Sequence, residues 1–264
     1  MGHDHEGQRV SRRTLLAGVS SIGLGSLLTA CQNTQPVTTS TGAAVTPRAT
    51  TTGDLTSLFA DAGTCTLTPA ATQGPYYFDA DKIRSDIRED KQGVRLRVAV
   101  RVQDSETCRP LGDAVVEIWH CDAGGLYSGA ESQSTGGAGS PPGPDGELTP
   151  TDDERYLRGA QVTNSDGIVQ FTTIWPGWYR GRTVHIHAMV HFGDARVLTT
   201  QVMFDEALNA QVLARSPYAA RSGRDTRNDD DGIYREEMLL KVTEEDDGYL
   251  GAIVFAADSD RDGG

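Results

Sequence analysis

The run Val184-His-Ile-His-Ala-Met-Val-His-Phe192 alternates small or apolar residues with histidines. A period of two belongs to a β-strand, so this stretch commits the middle of the chain to a sheet. Side chains two apart on a strand share a face, which makes His185 and His187 project together as a pair of imidazoles. Just upstream, Pro176-Gly177 forms a turn that presents Trp178 and Tyr179 toward the same region. An imidazole pair beside a phenol suits a hard, redox-active metal better than a structural zinc. The plainer alternative is two strand histidines hydrogen-bonded within a polar sheet face.

The remaining apolar segments are also short and alternating. Val94–Val102 carries arginines on one face, Ala114–His120 is entered through the turn Pro110-Leu-Gly-Asp113, and Gly167–Thr173 follows the hairpin signal Asn164-Ser-Asp-Gly167. Further strands are expected at Val197–Phe204, Glu237–Val242 and Tyr249–Phe255, with one short helix at Glu206–Leu213. Residues 64–258 therefore predict one all-β domain, a β-sandwich of short antiparallel strands, followed by an acidic tail at 259–264. Two long loops, Ser132–Glu154 and Arg215–Gly232, read as functional lids or mobile surface. The run Asp229-Asp-Asp-Gly232 lacks the spacing of a calcium loop and reads as a solvated turn.

The N-terminus predicts export. Ser11-Arg12-Arg13-Thr14-Leu15-Leu16 is a twin-arginine pattern followed by an apolar run to Leu28, and Leu28-Thr-Ala-Cys31 fits a bacterial lipobox. Residues 1–31 thus read as a signal peptide ending at a lipidated Cys31, and 32–63, rich in Thr, Ser, Pro and Ala, as a flexible tether. The apolar run is too short and glycine-rich to span a bilayer comfortably. This predicts a chain anchored by lipid at the outer face of the cell membrane. Without residues 1–30, which carry three arginines and two acids, the net charge moves from −13 to −14. Such an acidic chain does not fit nucleic acid as a partner. Of the remaining Cys65, Cys108 and Cys121, an oxidising compartment predicts one disulfide and one thiol left over, with the pairing open.

Three stretches are positioned to meet the histidine pair. Trp119-His-Cys-Asp-Ala-Gly-Gly-Leu-Tyr-Ser128 ends with Tyr127 behind a Gly-Gly turn, Ile174–Tyr179 supplies a second tyrosine, and Gly74-Pro-Tyr-Tyr77 supplies aromatic walls. Together with Glu117-Ile-Trp-His-Cys-Asp122, Arg182 and Thr200-Gln201, and in this order, these motifs make the chain resemble the intradiol ring-cleaving catechol dioxygenases, including protocatechuate dioxygenase subunits. The resemblance covers Cys65 to Phe255.

The resemblance implies one non-haem Fe(III) ion held by Tyr127, Tyr179, His185 and His187, with an aromatic diol and O2 as substrates. It implies that Tyr179 gives up its place to the bound diol while Tyr127 stays. It makes Arg182 and Tyr179 catalytic, and it lines the substrate pocket with Tyr76, Tyr77, Trp178, Arg182 and Gln201. The donor chemistry agrees, because phenolate is a hard anion that favours iron(III) and loses its proton to the metal. A cation at Arg182 suits charge that develops on the ring. Without the resemblance, Arg182 also fits a surface salt bridge and Gln201 a strand hydrogen bond. His120 reads as structural, and His191, on the face of His187, is displaced from it by roughly 13 Å along the strand. Neither is taken as a ligand.

Two departures from the family pattern stand out. His185 follows Tyr179 by only six positions, a shorter connection than in well-known members, and the tether replaces the helical dimerisation region of catechol 1,2-dioxygenases. Both suggest an open site and leave the oligomeric state open, a dimer included. The competing readings are a non-catalytic transthyretin-like surface binding module and a zinc hydrolase; the latter lacks a Ser-His-Asp arrangement or a zinc helix motif.

Overall fold

The protein is described by a computed structural model over residues 37–38, 44–45, 55–59, 65–143, 146–193 and 195–261. The twin-arginine stretch, Cys31 and most of the expected tether lie outside these residues. Two short strands, β1 (Val37–Thr38) and β2 (Ala44–Val45), pair antiparallel.

Eight longer strands build a sandwich. β3 (Arg95–Asp104), β6 (Ile168–Ile174), β9 (Lys241–Glu245) and β10 (Gly248–Ala257) form one sheet in the order β6-β3-β10-β9. β4 (Val115–Trp119), β5 (Arg158–Val162), β7 (His185–Phe192) and β8 (Ala195–Met203) form the other, in the order β5-β4-β7-β8. The all-β sandwich expected from the alternating segments is the fold. One pairing is not antiparallel: β10 runs parallel to β3 from Gly248 opposite Arg95 to Ala257 opposite Asp104. Its direction is fixed by the tight hairpin with β9, which leaves its other edge to meet β3.

The inner faces interdigitate in one core. Val98, Val100 and Val102 of β3 meet Val116 and Ile118 of β4 and Ile186, Ala188 and Val190 of β7, with Phe171 and Phe255 filling between. Each buried Val, Ile or Phe side chain among them contributes roughly 1.5–3 kcal/mol. Because the even-numbered residues of β7 fill this core, the odd-numbered ones, from His185 to His191, face the other way. That outer face is covered in turn by a second cluster containing Tyr77, Phe78, Trp119, Tyr127 and Met189. β7 is consequently buried on both sides except at Phe192.

Several details differ from the sequence reading. β5 was not foreseen, because Arg158-Gly-Ala-Gln-Val162 shows no alternation: it is an edge strand whose Gly159 lets Ile87 approach to 2.6 Å of where a Cβ would stand. Glu236–Met238 is a 3-10 turn rather than strand, and pairing starts at Lys241. The segment expected to be tether includes an ordered 3-10 turn, Thr56–Phe59, whose Leu55 and Phe59 pack on Ala99, Ile168 and Ala252 on the outer face of the first sheet. Two apolar anchors are enough to hold a short segment against a sheet face.

Among the described residues the α-helices are α1 (Glu131–Ser134) and α2 (Glu206–Leu213), the latter capped by the Asp205 carboxylate, which accepts from Ala207 N and Leu208 N at 2.9 and 3.1 Å. Cys65 and Cys108 form the disulfide, and Cys121 is the buried free thiol.

Candidate metal and substrate site

The β7 pleat brings the two imidazoles together as the alternation requires. His185 Nε2 and His187 Nε2 lie 3.1 Å apart, and the Tyr179 hydroxyl is 3.1 Å from His185 Nε2. His185 Nδ1 sits 2.6 Å from the Thr183 carbonyl. A carbonyl only accepts, so Nδ1 carries the proton and Nε2 keeps a free lone pair, the tautomer a metal ligand needs. The Tyr179 hydroxyl then donates to that lone pair.

The His187 ring stacks on Trp119, with centroids 5.0 Å apart and planes 8° apart, which follows from the register that sets Trp119 opposite His187. Against the Cε1 edge of the ring lies Gly74, with φ +72°, where a Cβ would come within 3.0 Å of it. Only glycine allows Gly74-Pro-Tyr-Tyr77 to sit this close.

Tyr127 arrives from the β4–β5 connection. The Asp122 carboxylate shapes that loop by accepting from Gly124 N and Leu126 N at 2.8 and 3.0 Å. The loop carrying Tyr179 is fastened to it: Gly177 N donates to Asp122 O at 3.1 Å, and a Cβ on Gly177 would strike the carbonyl oxygens of Asp122 and Ala123. The Tyr127 ring lies 5.8 Å from that of Tyr179 and 6.2 Å from that of His187, and Tyr76 stacks on it at 4.5 Å.

The electrostatics of this cluster are those of neutral groups pressed together away from water. Burial, followed by the Arg182 charge, lowers His185 to about 3, and burial followed by His185 lowers His187. Burial raises Tyr127 and Tyr179 above the ordinary phenol range. The Tyr127 hydroxyl is buried with no hydrogen bond of good geometry, although the Tyr179 phenol is close enough to act on it. Among the described residues no three His, Cys, Asp or Glu side chains converge to hold a metal. A cation drawn to the imidazole pair therefore meets phenol oxygens. Two adjacent imidazole nitrogens engaged only with each other and with a phenol, and an orphaned buried hydroxyl, fit a single iron(III) ion, whose charge would replace the phenol protons.

Arg182 leaves the same turn. Its Nε donates to Asp231 Oδ2 at 2.9 Å and its Nη2 to Gln201 Oε1 at 2.5 Å. Gln201 is opposite His187 on β8, fully buried, with its amide nitrogen unpartnered.

Residues 69–224 match the family model described as Dioxygenase. The chain belongs to the intradiol ring-cleavage dioxygenase family. A solved intradiol ring-cleavage dioxygenase from Tetranychus urticae is 34% identical, covering 74% of this chain and 96% of that one with a TM-score of 0.67. The dioxygenase domain of a dioxygenase–carbohydrate-binding protein fusion from Streptomyces sp. SirexAA-E is 27% identical over 73% of this chain and 98% of that domain, with a TM-score of 0.54. Catechol 1,2-dioxygenase 1 of Acinetobacter lwoffii is 26% identical over 218 residues, 74% of this chain. The chain spans 59% of that relative's length.

Within this family frame, the structure gathers Tyr127, Tyr179, His185, His187, Tyr76, Arg182 and Gln201 in one place. Two residues expected to line the substrate pocket have other partners. Tyr77 is buried, tilted against Trp119 at 4.6 Å, and its hydroxyl donates to Glu117 at 3.1 Å. Trp178 lies in the main core with the Arg221 guanidinium 4.0 Å over its ring. Both support the wall from behind, because the pleat and the Pro-Gly turn alternate their side chains away from the site. His120 is a satisfied core histidine, with Nδ1 donating to Cys121 O at 2.8 Å and Nε2 accepting from Thr173 Oγ1 at 2.7 Å. His191 lies beyond a register shift in the β7–β8 ladder, opposite Arg196.

Sequence reasoning missed two charged residues. Asp231, read as part of a solvated turn, is buried and bound to Arg182, while its neighbours Asp229 and Asp230 are exposed. Arg158 is buried behind Tyr127, its Nε and Nη2 donating to Ser128 Oγ and O at 2.9 Å each. Neither position carries a local pattern; both become visible only when the strands are assembled.

Proposed function

We propose that this chain is a non-haem Fe(III) intradiol dioxygenase that cleaves a catechol-type ring between its two hydroxyl-bearing carbons, inserting both atoms of O2 to give a muconate-type product. The observation that carries this reading is the convergence of two imidazoles and two phenols, buried and uncharged, around one point beside a guanidinium. Iron(III) bound there would supply a Lewis acid that chelates the diol and draws electron density from it toward O2.

The protein residues have separable tasks. His185 and His187 present nitrogen lone pairs, with His185 held in tautomer by Thr183. Tyr127, wholly buried, is the phenol that stays; Tyr179, at the less enclosed edge, would lose its proton to a bound metal, and its phenolate oxygen could then take a proton from the diol and swing away. Tyr76 offers a ring face beside both tyrosines, at 4.5 and 6.0 Å, as a wall for the planar substrate. Arg182 offers a fixed cation for charge that builds on the ring. A transthyretin-like binding module has no need of an unpaired buried phenol.

The twin-arginine and lipobox patterns support export and attachment through Cys31, with a substrate met outside the cytoplasm, such as plant- or lignin-derived catechols. For the chemistry, the pure protein is loaded with iron and its visible spectrum recorded. A red-brown tyrosinate-to-iron band, and ring opening of catechol with uptake of one O2, are expected. A colourless, iron-replete protein would sink the reading.

A further inference from the structure

Arg182 has a guanidinium with five N–H donors in a rigid plane. Asp231 takes the Nε edge at 2.9 Å and Gln201 takes Nη2 at 2.5 Å, while Nη1 has no partner among the described residues. We propose that Asp231 is a positioning residue for catalysis: its carboxylate turns Arg182 so that the Nη1 edge is the one offered to the bound diol. This inference rests on the dioxygenase reading and adds to it a residue that touches neither metal nor substrate.

Asp231 is itself held on both oxygens. Oδ2 also accepts from Thr183 N at 2.9 Å, and Oδ1 accepts from Ile233 N at 2.9 Å; its side chain is only 2% exposed. The loop bearing it is pinned beside the same turn. Asn228 accepts from the Thr183 hydroxyl at 2.7 Å and donates to Phe204 O at 2.8 Å. Its backbone N–H donates to Glu206 at 3.0 Å, and Glu206 is doubly paired with Arg224 at 2.7 and 2.8 Å. Arg224 in turn donates to Thr183 Oγ1 at 2.9 Å. The segment expected to be a lid or mobile surface is, from Arg224 to Asp231, a brace bound to Arg182 and Thr183 ahead of the histidine strand.

An arginine held at one point sweeps a wide arc and loses rotamer freedom when it is fixed. Two contacts on adjacent edges of the fork fix its plane before substrate arrives, so that freedom is not lost again at the reaction step. Asp231→Asn keeps the shape but puts an amide nitrogen at one oxygen: at Oδ2 it breaks the bonds from both Arg182 and Thr183, at Oδ1 it opposes Ile233 N–H, and in either orientation the charge that holds the guanidinium is gone.

The test uses iron-loaded wild type, Asp231→Asn, Arg182→Ala and the double variant. Asp231→Asn is expected to keep the iron content, the visible band and anaerobic diol binding, with kcat reduced roughly 10- to 100-fold. The double variant should turn over no more slowly than Arg182→Ala, since Asp231 acts only through that side chain. Independent losses that multiply would overturn the proposal. Should Asp231→Asn not fold, Asp231→Glu, which keeps the charge and shifts it by one methylene, must show the same selective loss of kcat; wild-type turnover there overturns it equally. A readout independent of activity is the Arg182 Nε–H resonance in NMR of the metal-free protein. It should exchange slowly in wild type and vanish in the variant, and its absence from wild type refutes the clamp. If wild type binds no iron and opens no ring, the dioxygenase reading is what fails.

Discussion

Removing the Tyr127 hydroxyl should stabilise the metal-free protein and destabilise the iron-loaded one. The hydroxyl is fully buried with no well-formed hydrogen bond, and leaving such a group unsatisfied costs about 1–3 kcal/mol. Phenylalanine keeps the ring, its stacking on Tyr76 at 4.5 Å and its place against His187, and deletes only the oxygen. Taking about 2 kcal/mol as the gain, and 2–4 °C per kcal/mol for a domain of this size, Tyr127→Phe should raise the metal-free Tm by roughly 4–8 °C. With iron the sign reverses. Metal that binds only the folded state adds about 2.7 kcal/mol at a hundredfold excess over Kd, and loss of a donor removes most of that. The assay is a pair of thermal unfolding curves for each protein, one with chelator and one with iron, read beside the visible band. A Phe variant less stable than wild type under chelator would show that the hydroxyl already has a partner. The site would then not be prepared for an incoming cation.

Other outcomes follow from the same geometry. Arg182→Ala should keep iron, its colour and the spectral change on adding catechol, yet lose about 3 kcal/mol of transition-state stabilisation, roughly a hundredfold in kcat; an unchanged single-turnover rate would put Arg182 outside the chemistry. His187→Ala should abolish the visible band and lower iron content, measured by metal analysis; full iron with an unaltered band would remove it from the ligand set. Burial lowers His120 to about 4 against 6.5. The unfolded chain therefore binds that proton first, and His120 contributes a fall of roughly 3 kcal/mol at most as pH drops from about 6.5 toward 4, beside the falls from His185 and His187. His120→Gln should flatten that slope in urea unfolding, and an equally steep slope would deny His120 the role. Replacing Arg12 and Arg13 by Lys should hold precursor in the cytoplasm, and Cys31→Ala should release the domain from membranes; wild-type fractionation of both refutes the export signals.

The parts of the site legible in the sequence are those set by a period or by a turn. Two positions on a strand share a face whatever the rest of the fold does, so the pairing of His185 with His187 needed no tertiary information. Pro176-Gly177 and Gly124-Gly125 likewise announced turns, and the tyrosines behind them arrive where turns would send them. Tyr77 and Trp178 show the limit of that logic. Adjacent residues point to opposite sides, so Tyr76 enters the site while Tyr77 faces Glu117 and Trp119. Which of a pair goes inward depends on a register that only the assembled sheet defines. Strand β5 escaped notice for a related reason: an edge strand with a buried arginine and a glycine under Ile87 has no alternation to read.

Asp231 marks a different kind of failure, and it bears on how the site is built. Composition classes three successive aspartates as solvated, and for Asp229 and Asp230 that is right. The third is buried because Arg182, Thr183 N–H and Ile233 N–H all point at its oxygens, and three donors can hold a carboxylate out of water where sequence alone assigns it none. The same accounting runs the other way at the centre of the site. The Tyr127 hydroxyl, His187 Nδ1, Gln201 Nε2 and Arg158 Nη1 are all buried without partners, and folding gains nothing from leaving them so. The Asp231 carboxylate is thus fully paired on both oxygens while the Tyr127 hydroxyl, at the centre, is left without a partner. The contrast keeps Asp231 and the arginine it holds in place, and leaves the Tyr127 oxygen ready for a cation.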